Sequence, residues 1–100
     1  RSLVIFLGAT GCRICTPDET WNISGFPAAM LNATAAGDAF VAGVVYGVAR
    51  RWPWPEVGRF ANAVGTLSTR DLRAQGTLGT LPSLDEVEMF LERHPSDSVH

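Results

Sequence analysis

Hydrophobic and polar positions change rhythm partway along the chain. Leu3-Val4-Ile5-Phe6-Leu7 is an apolar run without alternation, closed by Gly8, and it predicts a β-strand covered on both faces. Gly8-Ala9-Thr10-Gly11 supplies a turn with two residues free to take positive φ, and the alternation of Cys12 to Thr16 leads away as a second strand, so a hairpin is expected. Pro17 to Thr20 reads as a polar turn and Trp21 to Ser24 as a short strand. Gly25-Phe26-Pro27 breaks that strand, and Ala28 to Leu31 reads as another. From Gly37 to Arg51 the pattern turns helical and leaves almost no polar face, which predicts a deeply buried helix. Its small residues, Ala39, Ala42, Gly43 and Gly47, permit close approach of a neighbour, and Arg50-Arg51 stand at the end where cations favour the macrodipole.

Trp52-Pro53-Trp54-Pro55 ends that helix as a proline-bounded loop capping a core edge. A second helix is expected from Pro55 to Arg70, with Val57, Phe60, Ala61, Val64 and Leu67 forming one apolar stripe. Asp71 to Leu81 reads as a loop. Ser83-Leu84-Asp85-Glu86 is a capping box that opens a third helix ending near Arg93, after which residues 95–100 form a polar tail expected to be mobile. The pattern is that of an α/β chain, strands and a hairpin followed by three helices.

At 100 residues the chain is one domain or part of one. With 46% hydrophobic and 18% charged residues it is built to bury a core. The net charge of −2, with eight arginines scattered between positions 1 and 93, leaves no basic stripe for nucleic acid. Phe40 to Ala49 is the longest apolar stretch and falls short of the roughly 20 residues that cross a bilayer, so no membrane association is expected. The absence of a charged n-region with an apolar h-region sets the expectation of a cytoplasmic protein. Cys12 and Cys15 form a lone C-x-x-C pair. On a strand, i and i+3 face opposite ways, which excludes a shared metal, and two small buried thiols are expected in preference to metal or redox work. Asn22-Ile-Ser24 and Asn32-Ala-Thr34 match the glycosylation sequon by chance in such a chain.

The segment Asn32-Ala33-Thr34-Ala35-Ala36-Gly37-Asp38 carries the chemistry. Ala-Ala-Gly presents nothing bulkier than a methyl, so backbone N–H groups at a helix N-terminus can approach an anion that the peptide dipoles also favour. Asp38, expected in the first turn, is held ionised by the same dipole and can accept a proton from a hydroxyl beside it. A base next to an anion cradle suits phosphoryl transfer. The same residues equally suit a plain role in which Asp38 caps the helix and the small residues permit packing, and spacing alone leaves both open.

The segment resembles the C-terminal signature of the PfkB carbohydrate kinases, the ribokinase-like family, which reads Asp-Thr-Thr-Gly-Ala-Gly-Asp before a small apolar helix. Here it reads Asn32-Ala33-Thr34-Ala35-Ala36-Gly37-Asp38-Ala39-Phe40-Val41-Ala42-Gly43. Leu7-Gly8-Ala9-Thr10-Gly11, Arg59-Phe60-Ala61-Asn62-Ala63 and Leu81 to Val87 follow in the family's order, so the resemblance covers residue 3 to about residue 93. It implies a C-terminal fragment of a ribokinase-like α/β/α sandwich, with residues 1–94 as the nucleotide-binding part. The implied activity is ATP-dependent phosphorylation of a hydroxymethyl group on a sugar or nucleoside.

The resemblance also implies roles. Asp38 would be the catalytic base and the backbone of Ala35, Ala36 and Gly37 the anion hole, while Gly8, Ala9, Thr10, Gly11 and Asn62 would border the nucleotide. Mg²⁺ would bridge the phosphates. Asn32 and Thr34 stand where many members hold a monovalent cation such as K⁺; Asn32 replaces the signature Asp, leaving an amide dipole where a full charge would sit. Phe6 replaces a Thr before Leu-Gly. The family's N-terminal part, with its acceptor contacts, is not in this sequence, so a homodimer would form through segments outside it. The chain is then expected to be a piece of a longer kinase, inactive alone; the alternative is a non-catalytic module that binds nucleotide or completes a partner's fold.

Overall fold

A computed structural model of the chain describes residues 2–26, 33–70 and 83–93. Three strands, β1 (Leu3–Phe6), β2 (Gly11–Cys15) and β3 (Thr20–Ser24), form an antiparallel meander in the order β1-β2-β3. Ile5 pairs with Arg13 and Ile14 with Trp21. The alternation of β2 is resolved as a clean inside and outside. Cys12 and Ile14 are buried, while Arg13 is exposed and donates from Nε to Asn22 Oδ1 at 2.7 Å. Cys15 is half-buried rather than buried, because it stands on the other face from Cys12. Thr16 and Glu19 close the β2–β3 turn, with the Thr16 N–H and hydroxyl both reaching the Glu19 carbonyl at 2.8 and 3.1 Å.

Three helices follow, α1 (Ala33–Ala49), α2 (Trp54–Arg70) and α3 (Leu84–Arg93). α1 and α2 run antiparallel along a seam of small residues. A methyl group added at Gly43 would lie 2.8 Å from Ala61 Cα, one at Gly47 would lie 3.0 Å from Val57 Cγ2, and one at Gly65 would lie 3.1 Å from the Ala36 carbonyl oxygen. Dispersion and burial along such a seam require the backbones to be this close. α2 also presses on the sheet. Gly58 leaves room for Ile23, Ile14 and Cys12, which with Phe40 and Ala61 make one buried cluster. α3 completes a second cluster, where Phe90 meets Phe26 edge-on at 4.8 Å and Val87 is fully buried.

The helix ends follow local chemistry. α1 closes in a Schellman motif, with the Trp52 N–H donating to the Gly47 carbonyl at 3.1 Å, the Arg51 N–H to Val48 at 3.0 Å, and Arg51 left-handed at φ 60. Trp52 then packs edge-on against Tyr46 and Phe60, which gives the loop between the prolines the core-capping role expected of it. At α3 the capping box forms: the Ser83 N–H donates to Glu86 Oε1 at 2.8 Å and the Glu86 N–H to Ser83 Oγ at 3.1 Å.

Three expectations need correction. β1 is covered on one face only, with Leu3 57% and Ile5 36% exposed, because it is the sheet's edge and the described helices pack on a single side. α1 is not deeply buried all round. Val41, Val45 and Val48 are about half exposed or more, since α2 and β1 occupy only part of its circumference. It also starts at Ala33 rather than Gly37, so Asp38 sits in its second turn and no acidic residue stands in the first. The strand expected over 28–31, the loop over 71–81 and the tail over 95–100 lie outside the described residues. No helix among the described residues is long and apolar enough to cross a membrane.

Candidate phosphoryl-transfer site

The turn that leaves β1 is built by its two glycines. Gly8 and Gly11 have φ of +67 and +119, and Gly8–Thr10 forms a short 3₁₀ turn. The Leu7 N–H donates to the Gly11 carbonyl at 2.8 Å, the Thr10 hydroxyl donates to the Leu7 carbonyl at 2.8 Å, and the Gly25 N–H donates to the Thr10 carbonyl at 3.0 Å. The two glycines differ in surroundings. A Cβ at Gly11 would collide with the Ile23 carbonyl, whereas one at Gly8 would meet nothing within 4 Å, so the Gly8 backbone faces open space.

This turn lies beside the start of α1. The ring of Phe6, the residue just before the turn, packs on Phe40 at 4.8 Å, and a methyl added at Gly37 would be 3.9 Å from the same ring. Phe6 is therefore a spacer between strand and helix, a role that the sequence comparison of Phe with Thr did not show. No sequence signal pointed to it, since Leu3 to Leu7 are all apolar and the inward placing of Val4 and Phe6 emerges only in the fold. With Ala33 as the first helical residue, the N–H of Ala35 is among those without an intrahelical acceptor, while Ala36 and Gly37 stand where the i to i−4 ladder begins. Ala36 is fully buried against α2, and Asp38, one residue beyond Gly37, is exposed. The structure thus sets the turn beside the start of α1, with Phe6 against Gly37 and Phe40; Asp38 follows as an exposed carboxylate.

Asn62 lies deeper. It is 3% exposed on α2, and its Nδ2 donates to the carbonyls of Ile23 and Ser24 at 3.4 and 3.3 Å. Ser24 pairs with Gly11, so Asn62 reaches the same end of the sheet as the glycine turn, from beneath. Its Oδ1 is buried with no hydrogen-bond partner. Beside it, burial pushes the Cys12 thiol from its ordinary 9.0 up to about 11, an effect the Asn62 amide partly opposes. The Cys12 thiol donates to the Gly58 carbonyl at 3.9 Å.

These features fit a nucleotide: an open glycine backbone, a helix start with an unspent N–H, and a buried acceptor without a donor. They do not supply a cage for a metal, because among the described residues no three His, Cys, Asp or Glu side chains stand together. All of Asn32 and the side chain of Thr34, the candidate K⁺ ligands, lie outside the described residues, as does the side chain of Ala9.

Comparison with known proteins gives one consistent result. A sequence profile described as pfkB family carbohydrate kinase matches residues 1–81. The chain is 29% identical over 81 residues to 5-dehydro-2-deoxygluconokinase of Geobacillus kaustophilus, covering 81% of this chain and 23% of that protein. Among solved structures it superposes with TM-score 0.78 on the nucleoside kinase of Burkholderia thailandensis in complex with inosine, at 29% identity over 92% of this chain and 30% of that one. It superposes equally, with TM-score 0.78 and 25% identity, on an Escherichia coli ribokinase II in complex with ATP and Mg²⁺, over 94% of this chain and 30% of that one. The chain therefore spans less than a third of the length of these relatives, and its α/β architecture is that of part of the ribokinase fold.

Proposed function

Because this chain belongs to the pfkB family of carbohydrate kinases, we propose that it is the nucleotide-side portion of a kinase acting on a hydroxymethyl group of a sugar or nucleoside. The observation that carries the reading is the meeting of the Gly8–Gly11 turn with the start of α1, where an exposed carboxylate, Asp38, follows the small residues Ala35-Ala36-Gly37. ATP supplies the γ-phosphoryl group when bound. The backbone of Gly8 to Gly11 borders the nucleotide, where the bare Gly8 lets a phosphate or ribose come close, and Asn62 offers its orphan Oδ1 as an acceptor from beneath.

Asp38 removes the acceptor hydroxyl's proton as that oxygen forms its bond to the γ-phosphorus; the bond from phosphorus to the β,γ-bridging oxygen breaks and ADP leaves. Charge that spreads over the transferring oxygens is met first by the Ala35 N–H, then by the helix dipole behind Ala36 and Gly37. The test is Asp38→Asn in the full-length enzyme. It should lower kcat by about 10²- to 10⁴-fold while leaving ATP affinity and Tm close to those of the parent. Unchanged turnover would remove Asp38 from the reaction.

A second reading has one observation in its favour. Asp38 stands in solvent in this chain, so the 100 residues alone would bind nucleotide without transferring phosphate. Isothermal titration with ATP, paired with an ADP-release assay on sugars and nucleosides, separates the two: heat without turnover identifies the binding module.

A further inference from the structure

We propose that α2 gauges the site: Asn62 and Gly65 hold the glycine turn and the start of α1 at a fixed separation, and Asn62 is a positioning residue that acts through its Nδ2. The inference rests on the kinase reading for what that separation serves. The Ile23 carbonyl is the seat of the turn. It is the group that a Cβ at Gly11 would strike, and it accepts from Asn62 Nδ2 at 3.4 Å. Ser24, whose carbonyl accepts from the same Nδ2 at 3.3 Å, pairs with Gly11, and the Gly25 N–H beyond it donates to the Thr10 carbonyl at 3.0 Å. Asn62 is 3% exposed, so these carbonyls are satisfied away from water. Gly58, one turn earlier on α2, makes room for the Ile23 side chain. The end of β3 is thus gripped by α2 at both side chain and backbone, and the turn rests on it.

Gly65 seats α1 in the same way. It follows Asn62 by three residues, less than one helical turn. A methyl added there would lie 3.1 Å from the Ala36 carbonyl oxygen and 3.8 Å from Phe40 Cβ, so the two helix backbones are in close contact at the start of α1. A second route joins the turn to α1 directly, through Phe6 on Phe40 at 4.8 Å. The contacts therefore close into a ring that runs from the turn through Phe6, Phe40, Ala36, Gly65 and Asn62 to Ile23 and back. Neither part can shift without the other. Phosphoryl transfer needs that, because a misplacement of about 1 Å can cost about 100-fold in rate.

Amide exchange in the nucleotide-free full-length enzyme, paired with steady-state kinetics, tests the gauge. Asn62→Ala should speed exchange of the Leu7 and Gly25 N–H groups, which close the turn, at least about tenfold beyond any change in α3. It should raise KM for ATP more than it lowers kcat. Gly65→Ala presses on the carbonyl that the helical ladder pairs with the Phe40 N–H, so it should speed exchange there and lower kcat at least about tenfold. Gly47→Ala crowds the same seam, at 3.0 Å from Val57 Cγ2, but at its other end. Whatever it loses in Tm, it should keep the parent's kcat and Phe40 exchange. Normal exchange at Leu7 and Gly25 in Asn62→Ala overturns the proposal, since loss of a nucleotide contact alone would leave both amides unchanged. So does a Gly47→Ala enzyme whose kcat falls as far as that of Gly65→Ala. Exchange that changes as expected in an enzyme releasing no ADP with any acceptor leaves the gauge standing and counts against phosphoryl transfer instead.

Discussion

Arg51 shows what a single residue holds in reserve. A non-glycine side chain at φ 60 costs about 1 kcal/mol relative to glycine, yet the Schellman motif that ends α1 demands that conformation. Arg51→Gly should therefore raise stability by up to about 1 kcal/mol, read as a higher denaturant midpoint with an unchanged slope. Cys12 makes the pH-dependent counterpart. Its thiol keeps its proton up to about 11 in the folded chain, against 9.0 unfolded. The contribution is whole below pH 9.0 and is lost as pH rises to about 11, at about 1.4 kcal/mol per pH unit. Denaturant melts of the parent and Cys12→Ala across that window should show the variant losing less; parallel slopes would refute the assignment. Neither property could be read in the sequence, since Arg51 carries no turn signal and Cys12 alternates like any strand residue. Asp38, by contrast, was legible as a carboxylate near the start of α1, although its place in the second turn was not.

At the scale of elements, the same substitution should act with opposite sign at two places on α1. Gly37→Ala puts a methyl at an ordinary 3.9 Å from Phe6 and gains helix propensity, so it should stabilise by up to about 1 kcal/mol. Gly43→Ala drives a methyl to 2.8 Å from Ala61 Cα, so the seam must open, at about 1–3 kcal/mol. Thermal melts of the two variants decide it. Ser83→Ala should loosen α3 by about 1 kcal/mol through loss of the reciprocal cap, seen as faster amide exchange in α3 with α1 and α2 unchanged. Elements were the most legible level. The hairpin, the strand at Trp21 to Ser24, the stripe of α2 and the capping box all appear where local pattern and turn chemistry put them. Burial was less so: an uninterrupted apolar run says that two faces want cover, and it cannot say which of them the rest of the fold reaches. β1 and α1 were misjudged for that one reason.

At the scale of the whole molecule, the glycine turn and the helix start were legible as separate motifs, while their meeting through Phe6 and Phe40 is a tertiary fact that no local window contains. Asn62 is similar: its motif was visible, its tie to Ile23 and Ser24 was not. The family relation reached the right fold because it supplies that long-range order at once. The turn after β1 and the start of α1 meet at one place, with Phe6 between them. Each strand pairs with the next and α1 packs on α2, while α2 crosses back to β2 and β3. The strand pairings close short loops, whereas the contacts of α2 with the sheet close long ones and pay more loop entropy before they form. The meander would then form before α2 settles on it, and the cluster of Cys12, Ile14 and Ile23 with Phe40 and Ala61 would close last.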